Sequence, residues 1–120
     1  MFRFLRTRRR TKILAEPFPD EWRVRLELDV ALWSAVPAES RYRLEDDVRL
    51  FMAERYWEPC GGVALDDGMR AVIAAQACLL TLGRSVDAFD HVRSILVYPN
   101  RYRAPDVWED EAGIVTEEID

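Results

Sequence analysis

The feature that most constrains this chain is the stretch from Met69 to Leu82. It reads as a helix that is apolar almost all round, with Val72, Ile73, Ala74, Ala75, Ala77, Cys78, Leu79 and Leu80 in close succession. A helix without a polar face has to be buried, so the remaining elements are expected to pack around it. Gly83 supplies a C′ position at its end, and Asp66 or Asp67 a cap at its start. The chain has 120 residues, 49% of them hydrophobic, which suits one core and excludes a collagen-like, low-complexity or wholly disordered polymer.

Around this helix the sequence predicts two others. Pro17-Phe18-Pro19-Asp20-Glu21 is a helix entry with Asp20 as the candidate N-cap. The following run is ambiguous. Trp22, Val24, Leu26, Leu28, Val30 and Leu32 alternate as in a strand, whereas Trp22, Leu26, Val30 and Trp33 form a helical stripe. The run exceeds the usual strand length of about five or six residues, which favours helix until Pro37 breaks it. Ala38 to Tyr56 reads as an amphipathic helix burying Leu44, Val48, Phe51 and Met52, with Glu45, Asp46, Asp47, Arg49 and Glu54 on a solvated face. Pro59-Cys60-Gly61-Gly62 predicts a turn into a short strand at Val63-Ala64-Leu65. Ser94 to Tyr98 is a clear strand stopped by Pro99, and 113–116 is a further candidate. The fold class is therefore α+β: three helices, the third largely buried, followed by short β-strands. Residues 15–120 form the single domain, and residues 1–14 a flexible basic arm.

Charge is unevenly placed. Of 17 basic residues, Arg3, Arg6, Arg8, Arg9, Arg10 and Lys12 lie in the first fourteen positions, with no acid among them. That leaves 11 bases against 22 acids in the rest. Such an arm can meet phosphates on nucleic acid or a membrane surface, but the acidic body repels a phosphate backbone. Nucleic acid is therefore not an expected partner, and a solvated tail is the plainer reading. No run reaches the roughly 18 apolar residues of a spanning helix, and Met1-Phe-Arg-Phe-Leu lacks the form of a secretory signal. Two cysteines without such a signal predict free thiols and a cytoplasmic location.

Candidate chemistry is sparse. His91 is the only imidazole, so a Cys–His nucleophile would need Cys60 or Cys78 beside it. Cys78 lies in the most apolar helix and reads as a small buried hydrophobe, while Cys60 beside the glycines is the more accessible thiol. A structural zinc takes about four side-chain ligands and a catalytic one about three, chiefly histidine and cysteine. The sequence has no His-Glu-x-x-His, no CxxC and no EF-hand spacing. Asp66-Asp67 and Glu109-Asp110-Glu111 read as capping and solvation. No catalytic, cofactor-binding or metal-binding residue is assigned.

Several collinear segments resemble the N-terminal part of the Mlc titration factor A family of zinc-dependent peptidases. They are Ala15-Glu16-Pro17-Phe18-Pro19 with Trp22, Cys60-Gly61-Gly62, Ile73 to Leu80, Leu82-Gly83, Ser94 to Pro99, and Trp108-Glu109-Asp110 with Gly113. The resemblance implies a cytosolic peptidase in which a His-Glu-x-x-His helix and a downstream acid hold zinc, and a link to the glucose repressor Mlc. In that motif the two histidines lie one turn apart and the glutamate polarises water. Here His91 is followed by Val92-Arg93-Ser94-Ile95, so no catalytic residue carries over. Two expectations result. One is an N-terminal portion of such a peptidase, a fragment or truncated product, with zinc in full-length relatives and none in this chain. It would leave apolar surface free for self-association. The other is a non-catalytic module that binds a transcriptional regulator of sugar uptake.

Overall fold

The computed structural model describes residues 2–81, 86–99 and 114–118, with backbone alone at 2 and 114–118. Helix α1 spans Phe2–Ala15, α2 Asp20–Asp29, α3 Ala38–Ala53 and α4 Asp67–Leu80. Strand β1 is Tyr56–Pro59, and a 3₁₀ turn at Val86–Phe89 precedes β2, Val92–Val97. The last strand, β3, is Ile114–Glu118. The sheet order is β1-β2-β3. β1 runs parallel to β2, pairing Tyr56 with Ser94 and Pro59 with Val97. β3 is antiparallel to β2, with an irregularity between Val92 and Ser94. The α+β class expected from the sequence is the one observed.

The expected central helix is indeed central. Ala71, Ala74, Ala75 and Cys78 recur at i, i+3, i+4 and i+7 of α4 and are buried. These small side chains let α2 and α3 come close, presenting Leu26 from one and Leu44, Val48 and Phe51 from the other. Val92, Ile95 and Val97 of β2 complete the same apolar cluster. Leu80 is the exception on α4, 85% exposed at its last position. Gly83, the expected terminator, lies outside the described residues.

Several boundaries differ from expectation for identifiable reasons. α2 ends at Asp29, not near Trp33, yet Val30, Trp33 and Val36 stay buried because a turned segment returns them to the core. Asp20 is the first helical residue instead of the cap, which is Pro19 in extended geometry, φ −62° and ψ 134°. Pro37 plays the same part for α3, with φ −54° and ψ 146°. A proline there suits the preset φ and the lack of any need for its N–H. The strand expected at Val63–Leu65 is absent. Pairing occurs instead at Tyr56–Pro59, and residues 63–66 lead irregularly into α4. Gly61 and Gly62 between them do adopt left-handed φ, 61° and 81°.

The largest correction concerns the basic segment. It was expected to be a flexible arm, but residues 2–15 form a fourth helix laid against α3. The charges of α3 also differ from a simple solvated face. Glu45 is buried, held by Arg23 of α2 through Nε at 2.8 Å and Nη2 at 3.0 Å. A two-pronged guanidinium contact of this kind satisfies both carboxylate oxygens and makes the burial tolerable.

Candidate functional site

On one face of α1, Arg6, Arg9 and Arg10 stand at i, i+3 and i+4 and meet the C-terminal end of α3 and the 3₁₀ turn. Arg10 grips Glu54 with Nε and Nη2, both at 2.8 Å, and reaches Asp87 at 2.8 Å. Arg6 donates to both oxygens of Asp90, at 3.0 and 2.7 Å, and to Asp87 at 3.1 Å. Arg9 contributes a longer contact, 3.4 Å, to the Ala53 carbonyl. Hydrogen bonds from Arg10 hold the Glu54 carboxyl below its usual range against the opposing effect of burial. Arg6 does the same for Asp90.

Arg55 lies beneath this network. Its residue exposure is only 8%, and its guanidinium sits 4.7 Å from the centre of the Phe51 ring. Nη2 donates to the Phe89 carbonyl at 2.7 Å, whereas Nε is buried without a partner among the described residues. Burial lowers its pKa, and the nearby Glu54 and Asp90 charges oppose that shift. Arg6, Arg9, Glu54, Arg55, Asp90 and Arg93 line a cleft of about 490 Å³ here, floored by Leu5 and Val92. Among the described residues the lining carries four guanidinium groups and two carboxylates. Such a set of donors suits an anion.

A second groove, about 400 Å³, is of opposite character. Trp22, Trp57, Pro17, Pro19, Ile13 and Met52 form most of its wall, with Arg49, Arg70, Glu16 and Asp67 also in the lining. Trp57 is fixed by donation from Nε1 to the Met52 carbonyl at 2.9 Å.

Among the described residues, those singled out in the sequence do not come together as a reactive site. Cys60 follows the end of β1 opposite Tyr98, while His91 precedes β2. The parallel register puts all six residues of β2 between their levels, seven steps or about 23 Å at the usual strand rise. The register thereby excludes a Cys60–His91 pair. Cys78 is buried in α4, and that burial pushes its thiol up to about 12, which leaves it inert as a nucleophile. Both cysteines are free. Asp66 caps α4 by accepting from the Met69 amide at 2.8 Å, and Asp67 pairs with Arg70 at 2.8 Å. Glu109, Asp110 and Glu111 lie outside the described residues. Among the described residues no three histidine, cysteine or acidic side chains stand close enough to hold a metal. With one imidazole in the sequence, this donor set does not fit zinc. No described helix is long and apolar enough to cross a membrane.

Nothing in the sequence marks Arg55 or Arg93 as site residues. The available signal was the i, i+3, i+4 spacing of Arg6, Arg9 and Arg10, which marks one helix face and not a random basic tail.

Comparison with known proteins gives a consistent result. A family model described as glucose-regulated metallo-peptidase M90 matches residues 4–120. An uncharacterised Synechocystis protein is 28% identical over 110 residues, covering 92% of this chain and 40% of its own length. The protein named Mlc titration factor A in Enterobacter sp. is 28% identical over 88 residues, 73% of this chain and 33% of its own. Its namesake in Escherichia fergusonii is 32% identical over 87 residues, 68% of this chain and 33% of its own. The chain thus spans two fifths or less of these relatives' lengths. No solved structure matches it.

Proposed function

The chain belongs to the glucose-regulated metallo-peptidase M90 family, and from that premise we propose that it is the N-terminal, scaffold part of a zinc-dependent peptidase of the Mlc titration factor A type, without peptidase activity by itself. The observation that carries this reading is the donor count set against the family match. Residues 4–120 follow the family, yet the sequence has a single histidine, and Val-Arg-Ser follows it in place of Glu-x-x-His. A zinc-bound water needs about three protein ligands to be held and polarised, and these residues do not supply them. What they supply is a core of three helices with a sheet, the kind of rigid support on which a site can be held. The proposed location is the cytoplasm, consistent with two free thiols.

Zinc titration and a chelator-sensitive assay on aminoacyl reporter substrates test the proposal on the 120-residue chain. Both are expected to be blank. Stoichiometric zinc uptake with hydrolysis that stops on chelation would overturn it.

A second reading is favoured by the name that the Enterobacter and Escherichia fergusonii relatives share, Mlc titration factor A. On this reading the chain is a non-catalytic module that binds a transcriptional regulator through its scaffold. Val24, Leu28, Leu32 and Leu80 are 55–85% exposed and offer apolar surface for a partner or a second copy. Sedimentation of the chain alone and with purified Mlc separates these outcomes. A discrete complex supports the module, and two unchanged boundaries sink it.

A further inference from the structure

We propose that the cleft between α1, the end of α3 and the start of β2 binds a dianion of the phosphate class, either inorganic phosphate or a phosphate monoester. The argument begins with charge. Among the described residues the lining holds Arg6, Arg9, Arg55 and Arg93 against Glu54 and Asp90, a surplus of two positive charges in a chain whose formal net charge is −5. A dianion cancels that surplus, whereas a monocarboxylate leaves one charge over.

The distribution of existing bonds sharpens the case. Arg6 is already committed to Asp90 and Asp87. Among the described residues, Arg9 and Arg55 donate to neutral carbonyls, those of Ala53 and Phe89, and Arg55 also lies over the Phe51 ring. Arg93 has no carboxylate partner among the described residues. Arg55 is more than nine-tenths buried, keeps an unpartnered Nε and forms part of the cleft wall. A buried cation without a bonded counter-charge is costly, and an anion in the adjacent cleft removes much of that cost. Guanidinium groups are also the side chains best matched to a tetrahedral oxyanion, because each presents a planar fork of donors. The cleft volume of about 490 Å³ leaves room beyond the phosphoryl group for a small ester substituent.

Amide chemical shifts of the 120-residue chain provide the test, with titration by inorganic phosphate, by phenyl phosphate and by sodium chloride at matched ionic strength. Saturable movement of amides near residues 5–9, 54–55 and 92–93 with phosphate or the monoester, and not with chloride, is the expected result. Tighter binding of phenyl phosphate identifies an ester as the ligand type, and tighter binding of phosphate the free ion. Arg93→Gln, an exposed change, should weaken binding about tenfold, the equivalent of one lost charge-assisted contact. Arg55→Lys should weaken it too while keeping the charge. If Arg55→Lys fails to fold, Arg93→Gln still decides. Shifts that follow ionic strength alone, or an unchanged affinity in Arg93→Gln, overturn the proposal. Zinc and peptidase assays play no part in this readout, so its failure is separable from that of the peptidase reading.

Discussion

α1 and α2 both pack beside the central helices, but by different physics. α2 inserts Leu26, which has no exposed surface, and the segment after it adds Val30 and Trp33. α1 has no fully buried side chain among its described residues. Ile13 and Leu14 are half-buried, and its attachment runs through Arg6 and Arg10 to Glu54, Asp87 and Asp90. Apolar burial is proportional to area and indifferent to pH. Ion pairs depend on protonation, salt and exposure. One helix is therefore part of the core's stability, and the other is a conditional attachment to it.

The most severe way to probe that contrast is at Trp33, 1% exposed. Trp33→Ala should cost about 3–5 kcal/mol, because it loses the transfer energy of a large ring and leaves a cavity. Denaturant unfolding measures this, and a loss under 1 kcal/mol would mean the α2 side is not core.

Glu54 probes the other side. Its side chain is 13% exposed and Arg10's is 20%, so solvent screens the pair only partly. Glu54→Gln should cost about 1.5–3 kcal/mol, the range for hydrogen bonds to charged groups. The wild-type pH dependence has a defined sign. Arg10 lowers the pKa of Glu54 from 4.5 and Arg6 that of Asp90 from 3.8 in the folded state. Their contribution is full above those ordinary values and is lost as pH falls through the lower folded ones. Asp47 acts oppositely, since burial raises its pKa, so its cost is relieved on acidification. Hydrogen exchange of α1 amides isolates the first effect. Protection should fall below about pH 4 in α1 before it falls in α2. Equal loss in both helices would break the distinction.

The mildest test is Asp66→Ala at the start of α4. It removes the cap on the Met69 amide and should cost about 1 kcal/mol without altering either attachment.

What the sequence disclosed follows the same division. The buried stripe Leu44, Val48 and Phe51 and the strand Ile95-Leu96-Val97 were legible because apolar periodicity is local. The docking of α1 was not. The acids that hold Arg6 lie 81 and 84 residues away, so its arginines read as a tail until the fold brings Asp87 and Asp90 to them. β1 was hidden for another reason. Pro59 reads as a breaker, but an edge strand tolerates a residue that cannot donate to a neighbour. Nothing in the sequence marks Arg55, and only its packing over Phe51 sets it apart.

The parallel pairing of β1 with β2 also sets an order of events during synthesis. Tyr56 and its partner Ser94 are separated by 38 residues, with the whole of α4 between them. At ordinary translation speeds of about 5–20 residues per second, β1 waits roughly two to eight seconds for its neighbour. Throughout that interval its backbone N–H and C=O groups have no strand to join. In a cell, this newly made edge is where a chaperone would find the chain most in need of cover.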